Sequence, residues 1–277
     1  MNSTFRKLFI GEFSWKRVMR SLLLIPIFVY LGLAIIAWFF PNKVLFRPPR
    51  ASYKDDSSII KLNTSNGETV SAKFYENDSA GFTILFSHGN AEDIGNIEHF
   101  ILNLRDSGFA VLVYDYNGYG TSEGSPSENN TYGDIDAAYK YLTEIKKIEP
   151  GKIIVHGRSI GGGPAVDLAS REPVGGLIME STFTSASRVL TNTRIFPFDK
   201  FENINKIGSV RCPVLVIHGK KDRTISFQHG EKLFDAANEP KFSLWVDNAG
   251  HNNLYNVASE TYLKTMRDFA DNLTMAK

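Results

Sequence analysis

Residues 153–163 read Ile153-Ile154-Val155-His156-Gly157-Arg158-Ser159-Ile160-Gly161-Gly162-Gly163, and the fold turns on how this stretch is understood. An apolar run of β type enters a G-x-S-x-G pentapeptide and leaves through small residues into a helix-length segment. A strand–turn–helix of this kind bends sharply enough to present a serine hydroxyl in a strained conformation. Glycines two residues to either side remove side chains that would collide at the bend. The pentapeptide alone also fits a glycine-rich turn with an incidental serine; the strand before it and the helix after it single out Ser159 as the candidate nucleophile.

Outward from this turn the chain alternates short β-rich runs with amphipathic runs of helical length, the pattern of a mostly parallel sheet covered on both faces. Ile59 to Asn63 and Thr69 to Tyr75 flank Asn66-Gly67, a turn signal, and predict an opening antiparallel hairpin. Phe82 to Ser87, Phe109 to Asp115, Lys152 to His156, Gly176 to Met179, Val214 to His218 and Phe242 to Val246 are apolar enough for internal strands. Helices are expected over Ile94 to Asp106, Thr131 to Lys147, Gly162 to Arg171, Phe227 to Ala237 and Ser259 to Leu273. In the second of these, Ile135, Ala138, Leu142 and Ile145 share one face, with Glu128 to Asn130 supplying caps and Pro150-Gly151 a break. Thr182 to Val210 fits no strand and is expected to form a small cap at 182–210. The expected fold class is α/β: an α/β-hydrolase fold with an eight-stranded sheet, helices on both faces and a small cap, in a catalytic domain spanning 54–277.

A serine hydroxyl is a weak nucleophile near neutral pH and needs an imidazole to take its proton and a carboxylate to orient that imidazole. In this fold the chain order is Ser, acid, His. Three of the six histidines, His88, His99 and His156, precede Ser159. His218 ends an internal strand and His229 falls in a helix, so His251, in the loop after the last strand, is the expected base. Asp222 stands just past the strand Val214 to His218, where α/β sheets gather functional groups, and is the expected acid; Asp247 and Glu180 are its rivals. His88-Gly89-Asn90-Ala91 closes an earlier strand and fits an oxyanion loop. The expected donors are the N–H groups of Asn90 and Ile160, with Ala91 as the substitute for the first and His88 as a brace. Tyr114 to Gly124 is rich in turn residues; it could shape the wall near the oxyanion loop, and reads first as a structural turn. Phe183, Ile195, Phe196, Phe198 and Phe201 in the cap could meet an acyl chain or simply pack the cap down.

Ser21 to Phe40 holds no charged residue, and about 20 apolar residues suffice to cross a bilayer as a helix. A transmembrane helix is therefore expected at 21–40, after a basic segment at 1–20 and before a Pro-containing connector at 41–53. A cleaved signal peptide fits less well, because Trp38-Phe39-Phe40-Pro41 stands where a small-residue cleavage site would be. Arg6, Lys7, Lys16, Arg17 and Arg20 precede the helix and Lys43, Arg47, Arg50 and Lys54 follow it. That imbalance leans towards an inside N-terminus and an outside catalytic domain. With 31 basic and 30 acidic residues, no global field favours nucleic acid, which is not an expected partner. The single cysteine, Cys212, cannot form an intramolecular disulfide and reads as a buried bystander.

Taken together, His88-Gly89-Asn90-Ala91, Asp115 to Gly120, Gly157 to Gly162, His218 to Asp222 and Ala249-Gly250-His251-Asn252 resemble one branch of the α/β hydrolases. This is the membrane-associated branch of alpha/beta hydrolase domain-containing palmitoyl-protein depalmitoylases and their bacterial relatives. Phe46-Arg47-Pro48-Pro49 and Ser125-Pro126-Ser127-Glu128 extend the likeness, which runs from Phe46 to the C-terminus. The resemblance implies a Ser159, Asp222, His251 triad, an acyl ester or thioester substrate such as an acylated protein, and no metal or organic cofactor. It departs in one respect, because the eukaryotic members carry a lipidated N-terminal cysteine cluster where this chain has a hydrophobic helix. Alternative readings are a serine peptidase using the same triad and a non-catalytic membrane-anchored binding module on a hydrolase scaffold.

Overall fold

The computed structural model describes residues 14–39, 41–191 and 199–275. The chain divides into two compact units, Met1–Val44 and Leu45–Lys277, so the expected connector from Leu45 onward belongs to the second. The first contains helix α1, Trp15–Phe39, with Pro26 inside it. Within it Val18–Ile35 has a mean hydropathy of 2.2, and Leu22, Leu23, Phe28 and Leu33 lie exposed along its surface. It is long and apolar enough to cross a membrane.

The second unit is built on an eight-stranded sheet ordered β1-β2-β4-β3-β5-β6-β7-β8. The strands are β1 Ile59–Asn63, β2 Thr69–Tyr75, β3 Thr83–Ser87, β4 Ala110–Tyr114, β5 Ile153–Arg158, β6 Gly176–Glu180, β7 Val214–Gly219 and β8 Lys241–Val246. The β1–β2 and β2–β4 pairs are antiparallel and every other neighbouring pair is parallel. All eight strands lie where the apolar runs predict them, with ends differing by at most two residues.

Successive side chains of a strand face opposite sides of the sheet, which explains why the central strands are apolar throughout. Leu85, Leu112, Val155, Leu177, Met179, Val214 and Val216 enter one core, against Ile135, Ala138 and Leu142 of helix α3 (Glu128–Lys140 and its continuation), Ala165 and Leu168 of α4 (Gly162–Arg171) and Leu233 of α5 (Phe227–Ala236). Ile84, Phe86, Val111, Val113, Ile154, Ile178, Leu215 and Ile217 enter the other. They meet Phe100, Ile101 and Leu104 of α2 (Glu98–Asp106) and Tyr262, Met266, Phe269 and Leu273 of α6 (Leu254–Met275).

Three helices differ from expectation, each for a local reason. Helix α3 starts at Glu128, earlier than Thr131, because the Ser127 hydroxyl is the N-cap and accepts from the Asn130 N–H at 3.0 Å. At its far end α3 passes into a π-turn, Tyr141–Ile145. The wider turn rotates Ile145 off the shared face, leaving it 69% exposed while Ile135, Ala138 and Leu142 are fully buried. Residues 94–97 are a turn and not helix, because the Asp93 carboxylate accepts from Asn96 N–H and Ser52 N–H while Asp115 accepts from Ile94 N–H. Helix α6 begins at Leu254, but Ala258 (φ −133°, ψ 31°) kinks it, and the expected start at Ser259 is where its straight part begins.

The segment 182–210 carries short helical turns at Arg188–Thr191, Asn203–Lys206 and Ile207–Ser209 and, among its described residues, no strand. Ile195, Phe196 and Phe198 lie outside the described residues. Cys212 is half-buried, and burial pushes its thiol up to about 12, which keeps it protonated and unreactive.

Candidate active site

The parallel strands point their C-terminal ends the same way, and the loops after β3, β5, β7 and β8 carry the oxyanion-loop candidate, Ser159, Asp222 and His251. At the end of β5 the chain turns through Ser159–Gly161 into α4. Ser159 has φ 55°, a left-handed conformation that costs a non-glycine residue about 1–2 kcal/mol. The close approach on either side requires glycine. A Cβ on Gly157 would stand 2.4 Å from the Gly161 oxygen, and one on Gly161 would stand 2.1 Å from the Ser87 oxygen. The Thr182 hydroxyl ties down the bend by donating to the Ser159 carbonyl at 2.7 Å.

Three residues far apart in sequence meet here. His251 Nε2 lies 3.0 Å from Ser159 Oγ, and His251 Nδ1 lies 2.7 Å from Asp222 Oδ2. Asp222 is itself fixed, since its Oδ1 accepts from the N–H groups of Thr224 and Ile225, both at 2.8 Å, and its Oδ2 stands 3.4 Å from His218 Nε2. Burial alone would raise the Asp222 carboxyl. The His218 and His251 side chains, the charge on His251 and the Ile225 amide outweigh burial and hold it well below the usual carboxylate range. It is therefore ionised wherever the fold is intact near neutral pH.

The rival acids are committed elsewhere. Asp247 is exposed and pairs with Lys220 at 2.7 Å. Glu180 is buried, 3.0 Å from His156 Nε2, and accepts from the Tyr262 hydroxyl at 2.7 Å. His218 is turned to the Ile225 carbonyl, 2.9 Å away, and His229 to Thr184.

In the loop after β3, His88 is fully buried with Nδ1 2.8 Å from the Gly89 oxygen and Nε2 3.3 Å from Asp115 Oδ1, the bracing position expected of it. The Ala91 N–H is taken by Asn90 Oδ1 at 3.1 Å. Among the described residues the Asn90 N–H has no hydrogen-bond partner. Ile160 is in the first turn after the bend, where N–H groups lack intrahelical acceptors. Phe183 is 5% exposed and packs against Phe201, which in turn meets Phe46 and Tyr132. The Phe201 ring joins the cap segment to the rest of the domain through Phe46 and Tyr132. Among the described residues no group of three His, Cys, Asp or Glu side chains could hold a metal ion.

Several supporting residues carry no sequence signal of their own. Glu92 Oε2 accepts from the Gly89 N–H at 2.9 Å and pairs with the Arg158 guanidinium, linking the loop after β3 to the serine turn. Arg158 lies over the rings of Phe86 and Phe100. Asp115 accepts from the Ile94 N–H at 2.9 Å and from the Tyr53 hydroxyl, which fixes the start of the turn at Tyr114 to Gly124. Only the glycines at 118, 120 and 124, all at positive φ, are a readable trace of it.

Fold and site together define a hydrolase of the α/β-hydrolase class. Residues 79–200 match the family described as Serine aminopeptidase, S33. The chain is 40% identical over 220 residues to alpha/beta hydrolase domain-containing protein 17B of Xenopus tropicalis, covering 78% of this chain and 76% of that one, and 39% identical over the same length and shares to the Homo sapiens protein of that name. It belongs to the alpha/beta hydrolase domain-containing protein 17 family. Among solved structures it resembles an esterase of Pyrococcus furiosus (TM-score 0.70, 18% identity, 82% of this chain and 98% of the esterase). It also resembles an esterase domain of a Rhodothermus marinus protein (TM-score 0.58, 20% identity, 74% and 93%).

Proposed function

We propose that this chain is a membrane-anchored serine hydrolase that cleaves acyl esters or thioesters, including protein S-acyl groups, through an acyl-enzyme intermediate. The observation that carries the reading is the hydrogen-bond chain from Ser159 Oγ through His251 to Asp222, at 3.0 and 2.7 Å. His251 Nε2 takes the Ser159 proton as Oγ attacks the acyl carbon, and anionic Asp222 stabilises the imidazolium that forms. The N–H groups of Asn90 and Ile160 receive the developing oxyanion. His251 then returns the proton to the departing alcohol or thiol, and a water activated by the same imidazole releases the acid.

Anchoring is supported by α1, whose Val18–Ile35 stretch has a mean hydropathy of 2.2 and carries no charge beyond Arg20. The basic residues on either side of the uncharged run Ser21 to Phe40 favour an inside N-terminus and an outside catalytic domain. The acyl preference is supported by the likeness to the family. Peptide hydrolysis is the second reading, favoured by the serine aminopeptidase description of residues 79–200. Parallel fluorogenic panels of acyl esters, acyl thioesters and peptides, assayed with wild type and Ser159→Ala, test both. Ester or thioester turnover lost in Ser159→Ala is expected; turnover of peptides alone, or equal rates in the two proteins, overturns the proposal.

A further inference from the structure

The oxyanion loop is gripped from outside the reaction by a strap, Leu45–Arg47, in the segment that precedes β1. Asn90 uses both ends of its side-chain amide. Oδ1 accepts from the Arg47 N–H at 2.9 Å, from the Tyr119 hydroxyl at 2.7 Å and from the Ala91 N–H at 3.1 Å, while Nδ2 donates to the Leu45 carbonyl at 2.5 Å. The Tyr119 hydroxyl also accepts from the Arg47 N–H at 3.1 Å, closing a triangle. Tyr119 is fully buried, and burial keeps its hydroxyl protonated as a donor far above the usual tyrosine range. Pro48 and Pro49 follow directly and restrict the strap's backbone.

The same residue carries the unpartnered N–H. In a trans peptide the C=O and N–H point in opposite directions. With the Gly89 oxygen 2.8 Å from the His88 ring, the Asn90 N–H is turned away from that ring. Gly89 lies beside the nucleophile, since a Cβ on it would stand 3.7 Å from Ser159 Cβ. Anything that shifts the Asn90 side chain therefore shifts a donor next to the reacting atoms.

We propose that the Asn90 side chain is a positioning group that clamps the Leu45–Arg47 strap to the oxyanion loop and so sets the aim of the Asn90 N–H at the tetrahedral intermediate. The inference rests on the Ser159 reading. The clamp requires an amide: aspartate keeps the three accepted bonds but loses the donor to Leu45 and sets an anion against that carbonyl, and alanine loses all four contacts. Because the strap lies in the segment that precedes β1, the clamp ties that segment to transition-state stabilisation and leaves ground-state binding alone.

The test uses the full chain in detergent micelles, with p-nitrophenyl butyrate as substrate and a butyl trifluoromethyl ketone as a tetrahedral mimic. Asn90→Asp is expected to lower kcat about 10- to 100-fold, the cost of misplacing a group by about 1 Å, with KM within twofold and the ketone Ki raised by the factor lost from kcat/KM. Tyr119→Phe, which removes one arm only, should lose about fivefold in kcat with the same pattern, and it serves as the test if Asn90→Asp does not fold. A kcat within twofold of wild type in the folded variants overturns the clamp, as does a loss confined to KM with an unchanged ketone Ki. A wild type inert towards ester overturns the Ser159 reading itself, and the clamp with it.

Discussion

Asp222→Asn removes one charge while preserving the shape of the side chain, and the structure fixes how the amide must sit. Asp222 Oδ1 accepts the N–H groups of Thr224 and Ile225 at 2.8 Å, so the Asn oxygen takes that side and its NH2 faces His251 Nδ1. Two losses follow. Opposite unit charges about 4 Å apart at an effective dielectric of about 20 attract by about 4 kcal/mol, which at 1.4 kcal/mol per tenfold is about a thousandfold in rate once the imidazolium loses its counter-charge. The amide also donates to Nδ1 and leaves the ring proton on Nε2, facing a hydroxyl whose proton it should accept, and this raises the expected loss towards about ten-thousandfold. Steady-state kinetics on p-nitrophenyl butyrate, with thermal melting as a control for folding, should give kcat reduced by about 10³ to 10⁴ and KM within a few fold. A folded variant that loses less than tenfold refutes the role assigned to Asp222.

Other predictions concern stability and the bend. Burial raises the Asp134 carboxyl to about 8, against a smaller opposing pull from the Asn117 N–H. Its favourable contribution is therefore complete below about pH 4, where the unfolded carboxyl titrates, and is lost as pH rises to about 8, by up to about 1.4 kcal/mol per pH unit. Asp134→Asn should flatten that decline in urea melts from pH 5 to 8, and an unchanged slope would contradict it. Burial, helped by nearby Lys232 and His218, lowers His229 to about 4. Its contribution is present above the unfolded value of about 6.5 and is lost as pH falls towards 4. His229→Gln should be less stable at pH 7 but lose less on acidification over that window; a parallel decline would exclude His229 as the source. Gly161→Ala forces a Cβ to within 2.1 Å of the Ser87 oxygen and should abolish measurable hydrolysis while lowering stability by several kcal/mol, on the order of a severe backbone clash; a variant that melts and turns over like wild type would contradict the packing at the bend.

The sheet was legible because central parallel strands are buried on both faces and read as unbroken apolar runs, as in Val214 to Ile217. Ser159, Asp222 and His251 were legible because each sits just past a strand end and the chain order restricts the choice. Helix limits were less so. The Ser127 cap and the Asp93 turn depend on side chains bonding to the backbone. The π-turn that exposes Ile145 departs from the 100° periodicity on which a shared helical face is inferred. Least legible were the groups that hold the site together. Glu92 with Arg158, Asp115 with Tyr53, and Asn90 with Leu45 join residues 45 to 66 positions apart, and no local pattern encodes such meetings. Phe183 shows the same limit from the other side: apolar character marks it for burial, but whether against an acyl chain or against Phe201 is decided only by packing.

The proposed hydrolysis requires Ser159 Oγ to be a nucleophile activated by His251. Reaction of the full chain with a fluorophosphonate, followed by peptide mapping by mass spectrometry, measures this directly. One phosphonyl group per chain is expected on Ser159, formed in parallel with loss of ester hydrolysis and slowed by orders of magnitude in His251→Ala. Hydrolysis that continues with Ser159 unlabelled, or labelling of Ser159 that proceeds at the same rate without His251, would contradict it.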